Sequence, residues 1–138
     1  MAYYPPPGTV VGISPLLCFS RSGVTTADAI PAVLGTLTTQ SANAVQRYTG
    51  HVAVRNTSTQ ESAEWDVTWA CKKAGGVCTL FGPVSVALFE ADAAIANQAG
   101  TLAVPVVTAS GNGCQVSAQG LAGMPLVWSF NFVLSVEA

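Results

Sequence analysis

From Leu126 to Val136 an apolar side chain stands at every second position: Leu126, Trp128, Phe130, Phe132, Leu134 and Val136. Ser129, Asn131, Ser135 and Glu137 take most of the alternate positions. Side chains of a β-strand point to opposite faces in turn, so this stretch has one apolar face and one mostly polar face. Its rings make it the centre of a core. Burying a large apolar side chain contributes roughly 1.5–3 kcal/mol. The inward set of this one strand therefore supplies on the order of 10 kcal/mol, comparable to a whole domain's net stability.

Shorter alternations recur upstream. Tyr48, Gly50, Val52 and Val54 alternate with Thr49, His51 and Arg55, and Trp65, Val67, Trp69 and Cys71 alternate with Glu64, Asp66, Thr68 and Lys72. Further strands are expected at Val77–Phe81, Val84–Leu88, Leu102–Val106 and Cys114–Ala118. Pro105 lies opposite Leu102, Val104 and Val106, which puts that strand at a sheet edge. Between the strands stand Gly75-Gly76, Gly82-Pro83, Gly111-Asn112-Gly113 and Gly120–Gly123, and glycine takes the positive φ of tight turns at little cost. Glu90–Gly100, rich in alanine, has room for a single helical turn. The spacing predicts an all-β fold, an antiparallel β-sandwich or a jelly-roll-like barrel of about seven to eight strands. A parallel sheet needs crossover helices, and the sequence has nowhere to put them.

Residues 1–45 differ in character from the rest of the chain. They begin Tyr3-Tyr4-Pro5-Pro6-Pro7, and their short apolar pieces are broken by Ser, Thr and Gly. Proline triplets favour an extended chain without internal hydrogen bonds. The expectation is an extended N-terminal arm over 1–45 preceding a β-sandwich domain over 46–138. Tyr3, Tyr4, Pro5, Pro6, Pro7, Leu16, Leu17 and Phe19 are its expected subunit-contact residues. Trp65, Val67, Trp69, Trp128, Phe130 and Phe132 are the expected core.

Composition bears on partners. Charged residues are 9% of the chain, against about 25% in an ordinary domain. A small domain so poor in charge is expected to cover much of its surface with other subunits. The five Lys and Arg are scattered, so no nucleic-acid footprint exists. No apolar run approaches the ~20 residues of a spanning helix, so no membrane partner is expected. The start lacks the charged region of a secretory signal, which points to synthesis and assembly in a reducing cytoplasm.

Chemistry-bearing patterns are few, and each has a plainer structural reading. His51 falls outward on its strand, with no G-x-S-x-G turn to supply a nucleophile. Glu64 and Asp66 share an outward face about 6–7 Å apart by strand rise, a spacing a glycosidase pair would use, but solvated and without a cleft. Glu90, Asp92 and Asn97 offer oxygens to calcium in an order that is not an EF-hand's. Gly111-Asn112-Gly113 lacks the third glycine and helix of a nucleotide loop. Asn56-Thr57-Ser58 is a formal glycosylation sequon, of use only in a secreted chain. Cys18, Cys71, Cys78 and Cys114 lack paired metal-ligand spacing. Cys71 and Cys114 fall where apolar strand residues belong, so buried thiols are the reading, with a Cys71–Cys78 bridge across a hairpin left open. No catalytic residue, cofactor or metal site is expected, and the three tryptophans are read as core rather than as a sugar platform.

The run Trp65-x-Val67-x-Trp69, then Gly82-Pro83-Val84-x-Val86, Ala91-Asp92-Ala93-Ala94, Leu102-x-Val104-x-Val106 and Gly120-x-Ala122-Gly123 before Trp128, resembles small β-rich virion proteins of tailed bacteriophages. The resemblance covers about residues 46–138. It implies a head- or tail-associated structural protein of the virion with no catalytic residue. On that footing the expected role is a capsid decoration (cement) protein that forms a homo-oligomer, a trimer. Its arm would clamp neighbouring subunits of the major capsid protein or other virion proteins. The alternative is a tail-fibre or adhesin module that binds a host cell-surface glycan.

Overall fold

The computed structural model describes residues 18–38, 42–92, 95 and 105–138, with the side chains of 136 and 137 left aside. Nine strands account for nearly all of it: β1 (Cys18–Thr26), β2 (Pro31–Thr38), β3 (Ala44–Asn56), β4 (Ser62–Ala74), β5 (Val77–Leu80), β6 (Ser85–Ala91), β7 (Pro105–Ser110), β8 (Gly113–Gln119) and β9 (Leu126–Glu137). They form two antiparallel sheets. The larger runs β1-β9-β3-β4-β5, with β6 also on β4, and the smaller runs β2-β8-β7. The sheets pack face to face and do not close, so the sandwich forms and the barrel does not. Among the described residues no helix is long and apolar enough to cross a membrane.

The alternation of β9 sets its neighbours. β9 lies between β1 and β3, so its inward rings meet residues from both sides. Trp128 stacks on Trp65 with centroids 5.9 Å apart, and its Nε1 donates to Thr26 Oγ1 at 3.0 Å. Phe132 meets Trp69 edge to face at 4.9 Å, and Trp69 stacks on Tyr48 at 5.1 Å. Trp65, Val67, Trp69, Trp128, Phe130 and Phe132 are all buried. Gly50 makes this layer possible, since a Cβ there would strike Asn131 O and the Phe132 ring. Gly35, in the small sheet, lies under the Phe130 ring in the same way, where a Cβ would come within 2.6 Å of Phe130 Cζ.

The arm expected over 1–45 differs from what forms. Residues 18–38 are β1 and β2, paired with β9 and β8, and are part of the sandwich. Each carries a bulge, between Ser22 and Val24 and between Val33 and Gly35. A bulge slips the alternation by one residue, which is why Leu34 and Leu37, three apart, both face the core. Phe19, expected to touch a neighbouring subunit, instead packs on its own core and meets Tyr48 edge to face at 6.1 Å. Tyr3, Tyr4, Pro5, Pro6, Pro7, Leu16 and Leu17 lie outside the described residues.

β7 is an edge strand, but its phase is the reverse of the expected one. Pro105 and Val107 point inward and Val106 outward. At a sheet edge, proline's missing N–H leaves no ladder bond unmade, so the residue can sit on either face. The sequon at Asn56 is a turn: buried Asn56 accepts from the amides of Ser58 and Thr59 through Oδ1 at 2.8 and 3.1 Å.

Candidate functional site

The outward face of the larger sheet is ordered by register into rows that cross its strands. One row runs Ser22, Ser129, Ala53, Glu64, Glu90 across β1, β9, β3, β4 and β6. The next runs Ser20, Asn131, His51, Asp66, Ala87. Small side chains occupy the middle of the first row and longer ones stand around them. The result is a shallow, open trough. One part of about 640 Å³ is bordered by Arg55, Glu64, Phe89, Glu90 and Ser129. A second part of about 520 Å³ is bordered by Arg21, His51, Glu64 and Asn131. The two share Ser22, Ala53, Glu64 and Ser129 as a common floor.

Phe89 is the conspicuous member. Opposite Glu64 and Trp65 the partners on β6 are Glu90 and Leu88, so Phe89 is one residue too many in the ladder. Bulged residues on edge strands are re-aimed, and this one points its ring to the trough's rim, 66% exposed. A phenyl face in water beside hydroxyl, carboxylate and amide groups has the mixed character of a surface that stacks on a sugar ring and hydrogen-bonds its hydroxyls.

The polar groups are partly committed. His51 Nδ1 lies 2.7 Å from Asp66 Oδ1, and both side chains are more than half exposed. Such a solvated pair orients the imidazole and contributes little stability. Arg55 donates to Gln60 Oε1 at 2.7 Å. Asp92 Oδ2 accepts from the Ser62 amide at 2.8 Å, so of the three oxygens expected for calcium one is spent on β4, and Asn97 is outside the described residues. Glu64 and Asp66 do face outward together on β4, with Asp66 turned to His51.

The tryptophans are absent from any sugar platform because all three are inside. Sequence reasoning missed Phe89, yet Leu88-Phe89-Glu90 breaks the alternation of its strand with two large apolar residues in succession. That break was the available signal.

A second cluster lies at one end of the sandwich, where β4, β5 and β8 meet. Cys71, Cys78 and Cys114 are buried free thiols whose sulfurs all lie within 4.8 Å of one another. The two cysteines of the hairpin considered from sequence are not cross-strand partners: Cys71 stands opposite Leu80 and Cys78 opposite Lys73. Across the two sheets, Cys78 Sγ lies 3.5 Å from Cys114 Sγ. The Cys114 thiol is held below its ordinary value, chiefly by the hydrogen bond from Cys71, with Trp69 and the Lys73 charge adding to it. Cys71 is pushed up by that same hydrogen bond and by burial, and Cys78 by burial.

No protein-family model matches the chain. No curated protein matches it either. Two solved structures are similar in part. The tailspike protein of Acinetobacter baumannii phage AM24 is 11% identical, with a TM-score of 0.43 over 88% of this chain and 26% of that one. The tailspike protein of Acinetobacter phage vB_ApiP_P1 is 8% identical, with a TM-score of 0.40 over 100% of this chain and 24% of that one. The chain thus spans about a quarter of the length of either. At these scores the likenesses carry no information on chemistry.

Proposed function

We propose that the chain is a phage structural module on the tail side of the particle, a tail-fibre or adhesin domain that binds a host cell-surface glycan on the outward face of its larger sheet. The observation that carries this reading is the trough: a shallow floor of the small side chains Ser22, Ser129 and Ala53, with Glu64, His51 and Asn131 beside it and the bulged Phe89 ring at its rim. Glycans are met by shallow, wet surfaces on which a ring stacks and planar polar groups hydrogen-bond, and the trough has both. The phage setting rests on the sequence resemblance.

The proposed role is recognition without catalysis. Glu64 and Asp66 stand on an open sheet, and Asp66 is already engaged by His51. A glycan array separates the outcomes. Wild-type protein should bind a restricted set of acidic or neutral oligosaccharides, and Phe89→Ala should lose at least ~10-fold in affinity, the cost of about 1.4 kcal/mol of stacking. Binding unchanged in Phe89→Ala and in Ser129→Trp, which fills the floor, would refute the assignment. Release of reducing ends from any bound glycan would refute the non-catalytic part.

The capsid decoration role is the second reading. It is favoured by Val77, Leu80, Phe81 and Leu88, exposed apolar side chains along the β5 and β6 edge of the sheet. Self-association, as the expected trimer, belongs to both readings.

A further inference from the structure

We infer that Cys71, Cys78 and Cys114 form a binding site for a divalent thiophilic cation of the zinc class, one that pins the β4–β5 hairpin to β8 of the opposite sheet. Nothing in the glycan reading uses these residues. They lie behind the trough's sheet, on its inner side.

Geometry comes first. A Zn–S bond is about 2.3 Å, so sulfurs around a tetrahedral zinc stand about 3.8 Å apart. Cys78 and Cys114 have their sulfurs 3.5 Å apart and all three lie within 4.8 Å of one another, so small shifts of side chains suffice. The backbone around them is already tied: the Cys78 amide donates to Gly111 O at 2.8 Å, joining β5 to the β7–β8 turn. Gln46 Oε1, buried, lies 3.6 Å from Cys71 Sγ and accepts from the Tyr48 hydroxyl at 3.3 Å, so a polar oxygen already stands beside the cluster.

Charge comes second. Three thiolates in a core would be costly by themselves. Lys73 is buried and stands opposite Cys78 in the β4–β5 ladder. Three thiolates, one dication and one ammonium sum to no net charge. A monovalent ion would leave the cluster negative.

The third observation is an indole N–H. Among the described residues, Trp69 Nε1 is a buried side-chain polar atom without a partner at full hydrogen-bond geometry, and the group this N–H bears on is the Cys114 sulfur. Buried donors almost always have partners. A metal-bound thiolate is a stronger acceptor than a thiol, and N–H groups directed at such sulfurs are a regular feature around metal centres.

The test uses the full chain, reduced and handled anaerobically. Titration with Zn²⁺ against a chromophoric chelator should give one equivalent per chain, with protons released as thiols ionise. Co²⁺ in its place should show thiolate-to-metal charge transfer and tetrahedral absorption. Cys114→Ala and Cys78→Ala should each weaken binding by more than ~100-fold, beyond the 10–100-fold loss typical of outer partners, and Cys18→Ser should not. Wild-type measurements stand even where a variant fails to fold. Sub-stoichiometric uptake by reduced wild-type protein, cobalt spectra lacking the thiolate band, or loss of binding in Cys18→Ser would each overturn the site. So would reduced protein that takes no zinc and closes a Cys78–Cys114 disulfide on exposure to air.

Discussion

Phe89 owes its exposure to one surplus residue in the β4–β6 ladder, and the trough owes its depth to the smallness of Ser22, Ala53 and Ser129. These positions do little for stability, so Phe89→Ala should shift unfolding free energy by under about 0.5 kcal/mol while removing the stacking face. Chemical denaturation and binding measured on one preparation would separate the two effects. Inside, the reverse holds. Trp128 is fully buried, stacked on Trp65 and bonded to Thr26, so Trp128→Ala should cost about 3–5 kcal/mol. Gly50→Val should cost about 1–3 kcal/mol or more by overpacking, because its side chain would collide with Asn131 O and Phe132. A Gly50→Val midpoint equal to wild type would contradict the packing described.

Strands with long alternation, β3, β4 and β9 as far as Leu134, were legible because each buries one face along that length. β1 and β2 were not, and the reason is visible in their bulges. The slip at Val33–Gly35 puts Leu34 and Leu37 on one side, a spacing that reads as neither strand nor helix. β1 is also an edge strand with mostly exposed residues, so its sequence carries little apolar signal. Its contribution is real nonetheless, since it covers one edge of β9 and supplies Thr26 to Trp128. Removing residues 1–26 should therefore expose the β9 edge, lower the unfolding midpoint by several degrees and promote aggregation. A truncated protein with the wild-type melting curve would show that β1 is dispensable.

At the scale of the molecule, the trough was beyond the reach of sequence reasoning. Its floor draws on β1, β9, β3 and β4, and only the register brings Ser22, Ser129, Ala53 and Glu64 into one row. The thiol cluster was hidden for the same reason, Cys114 arriving from the other sheet. Low charge, by contrast, was readable at once, and the apolar side chains left exposed on β5 and β6 are its structural counterpart. An edge of that kind pairs with another chain unless something blunts it. Sedimentation should show concentration-dependent association, weakened by Leu88→Lys; a monomer at every concentration would remove the assembly reading. For the recognition face, the decisive experiment is amide chemical-shift mapping during titration with the strongest ligand from the glycan array. Shifts confined to Ser22, Ala53, Glu64, Phe89 and Ser129 are predicted, and shifts confined to the β5 edge, or none at saturating ligand, would contradict it.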